Sequence, residues 1–209
     1  MSTGTTAGLE LVSTVLRAFR EARPQVHLDL RETGWDDHSG LRGGSVDAAF
    51  VWLPFEHAGL SFAVLHVEPR VVALEAGHPL AGARELRVEQ FVDGPWVEDP
   101  DPDPVAQAFW TCAEFRGDAP ARRGPTVHSM EGQLEAVRAG LCVATLPRSQ
   151  GRASAWPGIA FRPVADLTPA RLALGWRAAD ETPVVQALVD LARRVAAESA
   201  AGDSSGSPD

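Results

Sequence analysis

GGSVDAAFVWLPFEHAGLSFAVLHVEPRVVALEAGHPLA, residues 43–81, is the stretch that most strongly predicts the fold of this chain. It contains a short apolar strand that ends at Trp52, an irregular connection, and a second apolar run over residues 71–74 before a polar turn. Short apolar runs bounded by Gly and Pro are typical of buried strands. We therefore expect the chain to leave one α/β lobe here and enter another, with a cleft between them that suits a small molecule.

The residues before this stretch predict one α/β unit. Apolar residues at helical spacing predict a helix that Thr5 or Thr6 caps and that a proline ends. Alternating apolar and polar residues over 26–30 are typical of a half-buried strand. A short helix over 36–42 and a buried strand over 46–52 follow. This order of strand, helix and strand predicts right-handed crossovers and a largely parallel sheet.

A second unit of the same kind follows the turn. It contains predicted strands over 96–97, 126–128 and 141–146 and predicted helices over 105–115 and 130–139. A strand over 172–176 can return to the first lobe, and an amphipathic helix that begins at 182–183 completes it. The small polar residues 199–209 predict a disordered tail.

Aspartate alternates with proline over residues 99–104, which read DPDPDP. Because proline lacks a backbone N–H, this segment cannot form a helix or a central strand, and we expect an extended loop. The three carboxylates also permit a metal site. An exposed loop whose backbone is restricted by proline is the favoured interpretation.

The composition argues against several classes of function. A net charge of −9 disfavours direct binding of a nucleic-acid backbone by this chain, because that binding needs clustered cations. Cys112 and Cys142 lie far apart in apolar surroundings, so neither a disulfide framework nor a zinc site is expected. No secretory signal and no apolar run of about 18 residues is present, which predicts a cytoplasmic location and no membrane association.

The chain lacks the motifs of common enzymes. It contains no nucleophile elbow, zinc-protease helix, P-loop or dinucleotide fingerprint, and its six histidines show no ligand spacing. His128 and Ser129 are adjacent, but neighbouring residues at a strand–helix junction point apart and no carboxylate evidently orients the imidazole. We therefore expect no enzyme activity, no catalytic residue, no metal and no cofactor.

Two predicted helices begin after hydroxyl-bearing residues, and both helix starts could bind an anion. Thr5 and Thr6 precede the first helix, and His128 and Ser129 precede the helix over 130–139. Each start presents a hydroxyl group, unpaired backbone N–H groups and the positive end of a helix dipole, which together can hold a carboxylate. Plain N-capping explains the same residues and does not exclude contact with a ligand.

Five segments of the chain carry a family resemblance: LVSTVLRAFREARPQVHLDL, GGSVDAAFVW, EPRVVALEAGHPLA, HSMEGQLEAVRAGLCVATLP and LALGWRAADETPVVQALVDLARRV. In this order and spacing they resemble the effector-binding domain of LysR-type transcriptional regulators, over roughly residues 4–197. The resemblance implies an α/β fold of two Rossmann-like lobes, like type 2 periplasmic-binding proteins, with a ligand cleft between lobes joined by two crossover strands near 71–74 and 165–172. Lobe I would comprise residues 1–72 and 168–198, lobe II residues 73–167, and the disordered tail residues 199–209.

The resemblance also implies which residues contact the effector. They lie at strand ends and helix starts: Thr5, Thr6, Thr33, Gly34, Trp35 and Trp52 in the first lobe, and Val97, Glu98, His128, Ser129, Met130, Pro147 and Arg148 in the second. Trp35, Trp52 and His128 are bulkier than the small polar residues often found there. They belong either to a narrow, aromatic-selective pocket or to the core and the rim of the cleft.

The function implied by the resemblance is that of a ligand-sensing and dimerisation domain. A small carboxylate or aromatic metabolite would bind the cleft and alter DNA binding and transcription by the full-length regulator. The family pairs such domains antiparallel, which places residues 13–20 and 26–30 at the interface of a homodimer or homotetramer. DNA contact would need the family's winged helix-turn-helix, which these residues do not include. The alternatives are a transport solute-binding protein, which predicts an export signal, and a two-lobe α/β enzyme, which predicts a poised acid, base or nucleophile.

Overall fold

The computed structural model describes residues 7–31, 38–100, 102–117, 119–153 and 156–205. The α-helices are α1 (Ala7–Ala22), α2 (His38–Arg42), α3 (Pro104–Trp110), α4 (Met130–Arg138), α5 (Arg148–Ala153) and α6 (Pro183–Ser205). The strands are β1 (Ala48–Leu53), β2 (Leu60–Glu68), β3 (Arg70–Glu75), β4 (Pro95–Glu98), β5 (Arg122–Thr126), β6 (Ala144–Pro147), β7 (Ile159–Pro163) and β8 (Ala170–Arg177). Together they form two α/β lobes joined by two crossings of the chain, as predicted.

The first lobe is built on an antiparallel sheet in the order β1–β8–β2. One face of this sheet packs against α1 and α6, because each helix places an apolar stripe on it. Leu11 and Val15 of α1 and Val185 and Val189 of α6 are buried at this face. Leu41 of α2 lies in the core cluster on the opposite face. The predicted α1, β1, β8 and α6 are therefore confirmed.

The second lobe combines an antiparallel sheet, β6–β3–β7, with the parallel pair β4–β5. A parallel bridge between Trp96 and Val143 joins the two groups of strands. β3 lies at the centre, where Val72 and Leu74 belong to one core cluster and Val71 and Ala73 to another. Burial on both faces explains why this strand is apolar throughout rather than alternating.

The prediction of a largely parallel sheet is wrong for most of the described strands. The ladders around β8 and β3 are antiparallel, and parallel pairing is confined to β4–β5 and to isolated bridges. The sequence prediction also missed two strands of these ladders. β2 falls in the predicted irregular connection and pairs with β8, and β7 pairs with β3.

β2 carries a β-bulge that changes which of its residues are buried. The register shifts between Val64 and His66, around the buried residue Leu65. An extra residue moves the side-chain alternation of a strand by one position. After the bulge it is Glu68 that is buried, while Val67 is exposed.

The chain crosses between the two sheets at Pro69 and again over residues 164–169. Pro69 alone separates β2 from β3. Residues 71–74, which were predicted as the connecting structure, lie inside β3 and pair with its neighbours. The first crossing therefore lies before the predicted residues 71–74, whereas the second overlaps the predicted range 165–172.

Several elements of the structure differ from their predicted extent. Residues 26–30 form no ladder with a described strand, and Leu30 is 68% exposed, because an alternating pattern becomes a strand only where a partner edge is available. α3 stops at Trp110 because Cys112 adopts a left-handed backbone conformation, φ 56°, which a helix cannot contain. β5 ends where the strand predicted over 126–128 begins. α6 continues to Ser205, past the predicted start of the tail.

The centre of the second lobe gives a test of core packing. Leu74 is 0% exposed, whereas Leu141 is 55% exposed. We expect Leu74→Ala to lower the free energy of unfolding by about 2–5 kcal/mol, because it removes buried methyl groups and leaves a cavity. Leu141→Ala is the matched control and should change it by no more than about 0.5 kcal/mol. Urea unfolding followed by circular dichroism measures both values, and equal losses would contradict the assignment of β3 to the core.

Candidate functional site

β4, β5 and β6 end at one edge of the second lobe. β4 and β5 are parallel, with Glu98 opposite Thr126, and the parallel bridge from Trp96 to Val143 lies just before β6. Strands that run in the same direction bring the residues after their carboxyl ends to one edge of a sheet, where α/β folds bind ligands. The predicted residues on or directly after these ends are Val97, Glu98, His128, Ser129, Met130, Pro147 and Arg148.

Ser129 starts α4 at this edge. Its backbone is extended, and its hydroxyl oxygen accepts a hydrogen bond from the Gly132 N–H at 3.1 Å, which caps the helix. The Val127 N–H donates to the carbonyl of Glu98 at 3.0 Å and fixes the turn beside the end of β4. The first N–H groups of a helix have no partner within it, so the positive end of the α4 dipole lies at this edge.

The side chains at this edge have different surroundings. Val97 is buried in a core cluster with Leu134, and Met130 packs against the same cluster. The carboxylate of Glu98 accepts a hydrogen bond from Arg123 and forms an ion pair with it. His128 is exposed. Its imidazole makes no hydrogen bond with another residue that the structure describes.

α5 begins beside the first crossing. The Arg148 N–H donates to the carbonyl of Pro69 at 3.0 Å. The next residue, Ser149, donates from its N–H and its hydroxyl to the two oxygens of buried Glu68, at 2.9 and 2.5 Å. The Arg148 side chain is exposed and has no ion pair within the described ranges. The end of β6 is therefore fixed to the first crossing, while the guanidinium of Arg148 remains accessible to solvent.

Arg70 ties the two crossings together, a role that sequence reasoning missed. The residue is 0% exposed. Its Nε donates to the carbonyl of Thr168 in the second crossing at 2.9 Å, and its Nη1 donates to the carbonyl of Phe109 at 2.6 Å. The guanidinium carbon lies 3.8 Å from the centroid of the Phe109 ring. Burial lowers the pKa of Arg70 below its usual value, although the nearby Cys112 and Glu114 oppose that change.

The first lobe places the carboxyl end of β1 and the helix α1 beside the second lobe. Leu53, at the end of β1, pairs with Arg171 directly after the second crossing, so this end of the sheet faces the second lobe. The side chain of Trp52 is half-buried and packs against the core cluster beneath α1 and α6. α1 also packs against α5 of the second lobe. Thr5, Thr6, Thr33, Gly34 and Trp35 lie outside the described residues.

Both thiols are buried. Burial raises the pKa of Cys112 from its usual value of 9.0 to about 11, although the positive charges of Arg70 and Arg116 oppose the rise. Burial alone raises the pKa of Cys142 to about 12. Because the thiolate is the reactive form, neither sulfur is a nucleophile near neutral pH in this fold.

Known sequences give a consistent match. The LysR substrate binding domain family model matches residues 1–197. A probable hydrogen peroxide-inducible genes activator of Mycobacterium avium is 37% identical over 86 residues, which is 41% of this chain and 28% of that protein. The HTH-type transcriptional regulator BudR of Raoultella terrigena is 25% identical over 186 residues, which is 86% of this chain and 63% of that protein. The chain thus spans less than two thirds of the length of either relative.

Solved structures agree on the fold. The BenM effector binding domain with its effector benzoate matches with a TM-score of 0.70 at 20% identity, over 91% of this chain and 87% of that one. At this identity the likeness concerns the fold alone. Separately, none of the helices that the structure describes is long and apolar enough to span a bilayer.

The raised thiol pKa values give a test of the burial of both cysteines. We expect no reaction of Cys112 or Cys142 with a disulfide reagent at pH 8, and full reaction after unfolding in guanidinium chloride. Above pH 9 the unfolded chain loses its thiol protons before the folded chain does. The free energy of unfolding should therefore fall as the pH rises from 9 towards 11. Thiolate absorbance at 240 nm measures the titration, and a midpoint near 9 in the folded protein would contradict this account.

Proposed function

This chain belongs to the LysR substrate binding domain family, and on that premise we propose that it binds a small anionic effector in the cleft between its two lobes. The proposed lobe boundaries follow the strand pairing and fall at Pro69 and within residues 164–169. The proposed walls are the end of β1 with the start of α1 on one side, and the ends of β4, β5 and β6 with the start of α4 on the other.

One observation carries the proposal: the capped start of α4 lies where three strands of the same direction end. Helix N-termini bind anions through free N–H groups and the helix dipole. Ser129 supplies a hydroxyl at that point, and the turn beside it is fixed by the hydrogen bond between Val127 and Glu98. Val97 and Met130 are proposed to contribute backbone groups, because their side chains pack in the core.

The charges at this edge favour an anionic ligand over a cation. The carboxylate of Glu98 is balanced by its ion pair with Arg123. The guanidinium of Arg148 is exposed beside the crossing and has no ionic partner among the described residues. A carboxylate would therefore meet a helix dipole and a free cation. The benzoate named with the BenM domain belongs to this chemical class, an aromatic carboxylate.

The larger protein is proposed to regulate transcription. Relatives of this chain are named as a genes activator and an HTH-type transcriptional regulator. We infer that effector binding shifts the lobes and changes the arrangement of attached winged helix-turn-helix domains, which make the DNA contacts. The family comprises transcriptional regulators, so an enzyme or a transport protein is not favoured.

Self-association is proposed to use the exposed face of α1 and the segment after it. Ser13, Arg17 and Arg20 are exposed on α1 at helical spacing. Leu30 exposes most of its apolar side chain nearby in the sequence. Burial of such an exposed apolar side chain against a second copy of the chain is favourable. A homodimer with residues 13–20 and 26–30 at its interface accounts for this exposure.

The effector site is tested with Ser129→Asp. Aspartate caps a helix as well as serine does, so α4 should remain intact. It also places a carboxylate where the anion of the effector is proposed to lie. Carboxylates that raise the melting temperature of the wild type should bind the variant at least about tenfold more weakly, because two like charges would meet near a helix start. Thermal-shift titration and calorimetry measure the affinities.

Ser199→Asp is the matched control, because it adds the same charge on α6, far along the chain from the proposed site. We expect it to leave affinity unchanged. Equal binding by the wild type and Ser129→Asp would contradict the placement of the anion at α4. A screen in which no carboxylate stabilises the wild type would count against the proposed effector class.

The proposed interface is tested with Leu30→Arg. This change places a charge at an exposed position, so it should leave the fold intact and shift the protein from dimer towards monomer. Val67→Arg is the control, because Val67 is also exposed but lies on β2, outside residues 13–20 and 26–30. Light scattering coupled to size-exclusion chromatography measures the mass. A wild type that is monomeric at micromolar concentration would contradict the pairing.

A further inference from the structure

α3 is held by both lobes at once. At its carboxyl end, the carbonyl of Phe109 accepts a hydrogen bond from Arg70, and the carbonyl of Trp110 accepts one from the Thr145 hydroxyl at 2.5 Å. Both donors lie on strands of the second lobe. At its amino end, Ala106 packs against a core cluster of the first lobe. The helix therefore spans the boundary between the lobes.

Asp103 makes the polar contacts at the amino end of α3. Its Oδ1 accepts hydrogen bonds from the N–H groups of Val105 and Ala106 at 3.1 and 2.9 Å, which caps the helix. The same carboxylate accepts the Glu56 N–H, at 3.2 Å to Oδ1 and 2.9 Å to Oδ2. The Asp103 side chain is only 10% exposed. A largely buried carboxylate thus joins α3 to the loop that follows β1.

Arg42 completes this contact from the first lobe. Its Nη2 lies 3.7 Å from Oδ2 of Asp103 and also donates to the carbonyl of Glu56. The backbone of Glu56 is therefore bound through both its N–H and its carbonyl. Hydrogen bonds to an ionised group are stronger than neutral ones, and this group is largely removed from water.

We propose that Asp103 is an inter-lobe latch, a positioning residue that holds the first lobe at a fixed distance from the second. The inference rests on the proposed effector cleft, because the latch sets the separation of its two walls. Asp103 follows Glu98, at the effector edge, by five residues, and proline occupies positions 100, 102 and 104. Proline restricts the backbone at each of these three positions.

The latch is tested by measuring the distance between the lobes without any ligand. Spin labels are attached at Glu89→Cys in the second lobe and Glu181→Cys in the first, both exposed positions, while the native thiols are buried. Labelled protein is diluted with unlabelled protein so that distances within one chain dominate. Asp103→Ser keeps the cap of α3 but is too short to reach Glu56. Arg42→Ala weakens the latch by removing the Arg42 contacts with Asp103 and with the Glu56 carbonyl, and it serves as a second variant if Asp103→Ser does not fold.

We expect both variants to add a longer component to the distance distribution and to speed hydrogen exchange of the Glu56 amide by about tenfold or more. Asp190→Ser is the matched control, because Asp190 pairs with Arg193 and both residues lie on α6 in the first lobe. It should leave the distances unchanged. Faster exchange at Glu56 with wild-type distances in both variants would overturn the latch. Since no effector is used, this result is independent of the outcome for Ser129→Asp.

Discussion

The burial of the Arg70 guanidinium is the constraint on which the arrangement of the two lobes depends. Removing a cation from water is costly unless its donors are satisfied. Among the residues described, the Nη2 of Arg70 has no hydrogen-bond partner, and the guanidinium forms no ion pair with a carboxylate. Carbonyl groups of Thr168 and Phe109 and the face of an aromatic ring take that place. These partners come from the second crossing and from α3. The charge is therefore stabilised only when both crossings and α3 occupy one particular arrangement.

A second buried charge acts on the other side of Pro69. Glu68 holds the start of α5 through both of its oxygens, so the first crossing lies between an acid fixed to α5 and a base fixed to α3. Both neighbours of Pro69 are thus buried charged residues that hydrogen bonds hold in place. Asp103 and the packing of α1 against α5 add contacts between the lobes at other points.

Local patterns predicted much of the fold, because they need only neighbouring residues. Helical spacing identified α1, α4 and α6, and the capped start of α4 at Ser129 was recognised from the residue types alone. Patterns could not show β2, whose bulge interrupts the alternation that marks a strand. They also assigned a strand to residues 26–30, which find no partner among the described strands. The contacts of Arg70 and Asp103 involve partners that are distant in sequence, which local patterns cannot identify. Near Asp103, the alternating prolines predicted only a loop with a restricted backbone.

The bulge in β2 has a further consequence for solubility. β2 is nine residues long and forms an edge of the first sheet among the described strands, with Val64 and Val67 exposed on it. A long regular edge of this kind invites another chain to add a strand and begin aggregation. The shift between Val64 and His66 breaks the straight row of backbone groups halfway along. An incoming strand can match the register of only half the edge, so the irregularity that buries Glu68 also discourages edge-to-edge polymerisation.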